Sequence, residues 1–156
     1  MPGQTEYLPF RIFSRDFKKG EEIPENCGKD HGNKRPIIEL AGTPPNAETF
    51  ALIMDDPDAK KVPKKIGGQG KIWVHYLFYH KKDTDQHDDR VEGKNSWGEI
   101  GYGGPAPPDK RHTYDFKAYA LNTTLDLKEG YSKQELKDAM KGHIIAEAKL
   151  TGTYAP

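Results

Sequence analysis

The chain has 156 residues, of which 34% are hydrophobic and 31% are charged, with 24 Lys and Arg against 24 Asp and Glu. This length suits one domain, residues 1–156, and the zero net charge argues against general nucleic-acid binding. The single cysteine, Cys27, excludes an intramolecular disulfide framework and a zinc site built from cysteines. No signal-peptide segment and no apolar stretch of membrane-spanning length is found, so we expect a cytoplasmic monomer or a small oligomer such as a homodimer.

Short apolar segments, separated by spread-out Gly and Pro, predict a chain of many short strands. Residues 50–54 are an unbroken apolar run, which predicts a strand buried on both faces. Residues 72–79 are mostly aromatic or β-branched and give the strongest strand signal. Strict alternation on this strand places four side chains on one face: Trp73, His75, Leu77 and Tyr79. The five predicted strands are residues 10–17, 37–40, 50–54, 72–79 and 114–121.

The remaining segments are polar or rich in Gly and Pro. Residues 101–108 contain three Gly and three Pro, which excludes a helix there. We expect the other loops at residues 20–35, 59–71 and 81–95, the second of which carries five Lys and is exposed.

One helix is predicted near the C-terminus. Ser132 and Glu135 have the spacing of a capping box, Leu136 and Met140 would face inward, and Gly142 would end the helix. Residues 144–154 fit either a helix or a strand, because Ala and Glu favour the former and the alternation of apolar residues favours the latter.

Three places put polar side chains against an apolar background. Asp56 ends a buried strand before Pro57, His75 lies mid-strand, and His112 and Tyr114 share one face at the start of another strand. Each also has a structural interpretation: Asp before Pro is a common turn former, and a strand His is often simply hydrogen-bonded. Taken singly, these residues leave both interpretations open.

Taken together and in order, these motifs resemble the phosphatidylethanolamine-binding protein family, which includes the Raf kinase inhibitor proteins. The likeness is closest to its short bacterial and archaeal branch and covers nearly the whole chain. It departs from the family at Lys60, Ala106 and Leu40. The segments that carry it are Asp56-Pro57-Asp58-Ala59, Trp73-Val74-His75, residues 101–108, His112-Thr113-Tyr114 and Tyr119-Ala120-Leu121.

The resemblance implies a mainly β fold, with a large central antiparallel sheet packed on a smaller sheet and a helix near the C-terminus. It makes residues 146–154 a strand. It also implies a small anion pocket with walls and rim at Asp56, His75, Gly104, Pro105, Ala106, Pro107, His112 and Tyr114, and a cis peptide bond between Asp56 and Pro57.

We therefore expect a non-enzymatic protein that binds a phosphoryl group or another small anion, without a cofactor. Two imidazoles and a phenol present donors to one anion, and Asp56 would raise the pKa of the imidazoles. The resemblance adds a kinase or a serine protease as a protein partner.

Two alternatives remain at this point. Asp56, His75 and His112 have the composition of a metal site. A hydrolase with His75 or His112 as base is the weaker alternative, because the available nucleophiles show no nucleophile motif. These nucleophiles are Ser14, Ser96, Ser132 and Cys27.

Overall fold

The computed structural model describes residues 9–83 and 89–156. Part of the predicted loop at 81–95, residues 84–88, lies outside the described residues. Within the two ranges the strands are β1 (Arg11–Ser14), β2 (Ile38–Ala41), β3 (Thr49–Asp56), β4 (Trp73–Lys81), β5 (Val91–Glu92), β6 (His112–Leu121) and β7 (Ile144–Tyr154). The α-helix is α1 (Lys133–Met140), and the 3₁₀ helices are Glu25–Cys27, Pro57–Lys61 and Lys64–Ile66.

Five strands form a central antiparallel sheet in the order β5-β4-β3-β6-β7, and β1 pairs with β2 in a smaller antiparallel sheet. All eight residues of β3 are buried at the centre of the larger sheet, as its apolar sequence predicts. The segment that fitted either a helix or a strand is the strand β7, which pairs with β6. The mainly β fold with two antiparallel sheets and a helix near the C-terminus is confirmed.

Both faces of the central sheet are covered, because alternate residues of β3 point to opposite sides. On one side, Leu52 and Met54 belong to the same apolar cluster as Ile12 of the smaller sheet. On the other side, Ile53 packs in a cluster with Leu136 of α1. The central sheet is thus held between the smaller sheet and the helix.

The helix α1 begins at the predicted capping box. The Ser132 hydroxyl accepts a hydrogen bond from the Glu135 backbone N–H at 3.0 Å, and the Glu135 carboxylate accepts one from the Ser132 N–H at 3.1 Å. The chain leaves the helix through Gly142, whose φ of 82° is favourable for glycine. Local sequence therefore determines both ends of this helix.

A β-bulge in β4 changes the predicted pattern of side-chain directions. Met54 lies opposite Tyr76 and Asp55 lies opposite Val74, so His75 is an extra residue without a partner on β3. The prediction of one shared face is wrong, because Leu77 packs on the α1 side whereas His75 contacts Tyr114 on the other side. The bulge turns His75 toward the face that carries Tyr114.

Candidate functional site

A cavity of about 280 Å³ lies where the end of β3 stands between the beginnings of β4 and β6. Five of the eight predicted binding residues line this cavity: Asp56, His75, Ala106, His112 and Tyr114. The other three, Gly104, Pro105 and Pro107, are buried and do not line it. Residues that are up to 58 positions apart in the sequence thus share one cavity because antiparallel pairing brings both ends of neighbouring strands together.

Asp56 ends β3 and caps the 3₁₀ helix that follows. Its Oδ1 accepts hydrogen bonds from the backbone N–H groups of Asp58 at 2.9 Å and Ala59 at 3.2 Å, while Oδ2 lies 2.6 Å from Nδ1 of His112. Burial raises the pKa of the Asp56 carboxyl, and the hydrogen bond and charge of His112 offset only part of this rise. The carboxylate therefore joins the turn to the cavity floor.

The peptide bond between Asp56 and Pro57 is trans, since no cis peptide bond occurs in residues 9–83 or 89–156. The resemblance implied a cis peptide bond here, and the structure has a trans bond instead. Pro57 occupies the first turn of the 3₁₀ helix, where its fixed φ fits and its missing N–H is not needed. The Asp56 cap makes the sharp turn that a cis bond would otherwise have provided.

His112 is held between two carboxylates. Nδ1 is 2.6 Å from Asp56 Oδ2, and Nε2 is 2.7 Å from Asp109 Oδ1. Both ring nitrogens can donate to these carboxylates only when the ring is an imidazolium. Burial lowers the pKa of His112, but the hydrogen bonds and negative charges of Asp56 and Asp109 outweigh it, so the pKa is raised above its ordinary value.

His75 has the opposite protonation behaviour. Its Nδ1 lies 2.7 Å from the Gly103 carbonyl and 3.1 Å from the Gly104 carbonyl, so Nδ1 carries the proton and Nε2 keeps its lone pair. Burial lowers the pKa of His75 to about 4, although both carbonyls favour the charged form. The expectation that Asp56 raises the pKa of both imidazoles therefore applies to His112 alone.

The Tyr114 hydroxyl is a buried donor. Within the described ranges no group accepts a hydrogen bond from it, and its ring stands edge-on to His75 with centroids 5.1 Å apart. Burial, followed by the negative charge of Asp56, raises the pKa of Tyr114, so the phenol stays protonated. The Ala106 backbone N–H lowers this pKa because it donates toward the phenol oxygen. An N–H cannot accept, so the O–H of Tyr114 still has no acceptor.

The Gly104 loop does not offer its amide to the cavity as expected. The Gly104 N–H donates to Asn33 Oδ1 at 2.7 Å, and a Cβ at this position would lie 2.0 Å from the Cys27 carbonyl oxygen. The Pro105 carbonyl accepts from the Lys29 N–H at 3.0 Å. Glycine is required here because two backbone segments meet, and the loop is fixed against residues 27–33.

Sequence reasoning missed several residues of the cavity wall. Trp97 stands edge-on to Trp73, with ring centroids 5.5 Å apart, and to His75 at 5.2 Å. The ammonium of Lys29 lies 4.5 Å from the Trp97 ring centroid, and that of Lys71 lies 5.9 Å from the Trp73 centroid. A lone Trp just after the charged segment 81–95 was the available signal for Trp97.

The described residues do not support the metal alternative. Within residues 9–83 and 89–156, no three His, Cys, Asp or Glu side chains are grouped as a metal site. Both nitrogens of His112 face carboxylates, and His75 Nδ1 faces carbonyls, so the lone pairs that a metal needs are mostly engaged.

The four nucleophiles considered for a hydrolase serve other purposes. Three serine hydroxyls each accept a backbone N–H, and none lines the cavity. Burial raises the pKa of the fourth, the Cys27 thiol, to about 11, which disfavours the thiolate. The three serines are Ser14, Ser96 and Ser132.

No helix in the described part of the chain is long and apolar enough to cross a membrane.

Comparison with known proteins identifies the family. The family model described as phosphatidylethanolamine-binding protein matches residues 13–155. A UPF0098 protein of Chlamydia muridarum is 37% identical over 150 residues, covering 92% of this chain and 97% of that protein. A UPF0098 protein of Methanothermobacter thermautotrophicus is 36% identical over 150 residues, covering 88% of this chain and 93% of that protein.

Comparison with solved structures agrees with this family match. A phosphatidylethanolamine-binding protein homologue from Chlamydia trachomatis superposes with a TM-score of 0.80 at 35% identity, covering 94% of this chain and 97% of that one. Escherichia coli YbcL, described as a new member of the mammalian family, superposes with a TM-score of 0.77 at 26% identity, covering 94% of this chain and 98% of that one. The chain is therefore a member of the phosphatidylethanolamine-binding protein family, within its short bacterial and archaeal branch.

Proposed function

We propose that this protein is a non-catalytic binding protein whose cavity takes a small anion, a phosphoryl group in particular. The observation that carries the proposal is the Tyr114 hydroxyl, a buried neutral donor without an acceptor in the described ranges. A buried donor left unpaired costs about 1–3 kcal/mol, so a ligand oxygen that accepts from it gains affinity. Membership of a family named for binding a phospholipid supports this assignment.

The rest of the wall suits the same ligand. The indole N–H of Trp73 is a second buried donor without a partner among the described residues. Lys29 and Lys71 bring positive charge to the wall, and the neutral His75 offers the lone pair of Nε2. Donors next to one acceptor match a phosphoryl group, which accepts through its ionised oxygens and donates when it is singly protonated.

Isothermal titration calorimetry with inorganic phosphate, sulfate and O-phosphoethanolamine tests the proposal. We expect Tyr114→Phe to weaken binding of each anion by about tenfold, because one charge-assisted hydrogen bond is lost. Tyr119→Phe is the matched control, since Tyr119 belongs to the same strand but packs on the α1 side. No binding by the unchanged protein, or equal effects of the two substitutions, would refute the proposal.

For a protein partner, we propose that a serine protease meets the Lys-rich segment 60–71 rather than the loop 101–108. Lys64 and Lys65 are exposed and follow Pro63, whereas most of the 101–108 loop is buried. An exposed Lys suits a trypsin-like pocket, but a small exposed segment supports at most micromolar affinity, about −8 kcal/mol. Steady-state inhibition of trypsin, with gels to detect cleavage, tests this; cleavage at these lysines without inhibition would exclude it.

A further inference from the structure

The two ring nitrogens of His112 have partners of very different character. Asp56, on Nδ1, is itself buried and is fixed by two backbone N–H groups, so it cannot leave the ring without losing its role as a cap. Asp109, on Nε2, follows two prolines in an exposed bend only three residues before His112, and its other hydrogen bonds come from the backbone N–H groups of Asp109 and Lys110 in that same bend. Because these partners move with the bend whereas the Asp56 partners belong to a buried turn, the Nε2–H group is the ring donor of His112 that is easier to exchange.

The charges at this position disfavour an incoming anion. One imidazolium stands between two carboxylates, which leaves the group with a net negative charge when both are ionised. If the Asp109 carboxylate moved away, a balanced ion pair and a free N–H would remain on the cavity wall that also carries Tyr114, whose ring centroid is 6.4 Å from that of His112. An anion that replaced Asp109 would then find two donors, Nε2–H and the phenol O–H, on the same wall.

We propose that Asp109 is a built-in competitor: its carboxylate occupies the Nε2 donor of His112, and a ligand anion binds by displacing it. The proposal rests on the anion-binding function proposed above. Because Asp109 is tethered three residues away, it competes at a high effective concentration, so a free monocarboxylate gains nothing by replacing it. A tetrahedral dianion carries more charge and more acceptor oxygens, and displaces it. Asp109 thereby sets the specificity for phosphoryl-like groups over carboxylates.

The test uses calorimetry with inorganic sulfate and acetate at pH 6, where sulfate is a dianion and His112 keeps its charge through Asp56. We expect Asp109→Ala to strengthen sulfate binding by about tenfold and to create measurable acetate binding, with Asp109→Asn intermediate, because an amide oxygen still accepts from Nε2. Asp126→Asn is the control: Asp126 is an exposed aspartate that does not line the cavity and has no bond to His112. We expect this control to change sulfate affinity by less than about twofold.

The outcomes separate the two proposals. Sulfate binding by the unchanged protein that Asp109→Ala leaves equal or weakens would overturn the competitor role and leave the anion site standing, since Asp109 would then be a positioning residue. A gain of the same size in Asp126→Asn would also overturn it, as a general effect of charge. No sulfate binding by the unchanged protein or by any variant would reject both proposals. Thermal unfolding of each variant verifies that it is folded.

Discussion

Replacement of Asp56 tests the arrangement at the cavity floor. Asp56→Ala removes three hydrogen bonds: two from the 3₁₀ helix that the carboxylate caps and one from the buried ring of His112. A lost cap costs about 1 kcal/mol and a lost charge-assisted bond at a buried group about 1.5–3 kcal/mol, so we expect a total of about 2.5–4 kcal/mol. Asp56→Asn keeps the cap oxygen, so its expected cost is only the His112 share, about 1.5–3 kcal/mol.

The loss of unfolding free energy in the Asp56 variants should depend on pH. The pKa of His112 is raised in the folded protein, so the stability that its charge contributes is complete below the unfolded pKa, about 6.5, and is lost as pH rises through the folded value. An amide at position 56 presents N–H to the ring and removes the part of this contribution that comes from Asp56, whereas Asp109 keeps its own part. The loss in Asp56→Asn should therefore be larger at pH 6 than at pH 9.

Urea unfolding at both pH values, followed by circular dichroism, measures these differences. Asp126→Asn is again the control, because Asp126 is exposed and a surface substitution of this kind changes stability by about 0.5 kcal/mol or less. A loss in Asp56→Asn that equals that of the control, or that is the same at pH 6 and pH 9, would refute the account of His112 as a buried imidazolium.

Three further predictions follow from the same wall. In histidine NMR, His112 should titrate above its ordinary value of about 6.5, whereas His75 should stay neutral until the pH approaches its lowered pKa of about 4; a shared midpoint would contradict this difference. Sulfate affinity should fall as pH rises through the raised pKa of His112, because its positive charge is lost; titration calorimetry across this range measures it, and a flat affinity would exclude His112 from binding. Gly104→Ala should lower stability by at least about 2 kcal/mol in urea unfolding, because its Cβ would lie 2.0 Å from the Cys27 carbonyl oxygen; an unchanged midpoint would show that the loop can shift.

Much of the fold could be predicted from local sequence. The apolar run at 50–54 predicts the buried central strand, and the capping box at Ser132 predicts the beginning of α1. These features depend on periodicity and on hydrogen bonds over three or four residues, which a sequence displays directly. The ordered motifs added the group Asp56, His75 and His112 through resemblance to a family, since no local rule brings together residues so far apart.

Tertiary structure decided what these residues are able to do. The bulge that turns His75 toward the cavity depends on the register between β3 and β4, and strict alternation predicted the wrong face. The opposite protonation of His75 and His112 follows from their neighbours: carbonyl groups around a fully buried ring in one case, and two carboxylates, including the unforeseen Asp109, in the other. The charge of a histidine is set by the partners that fold around it, and sequence alone does not place those partners.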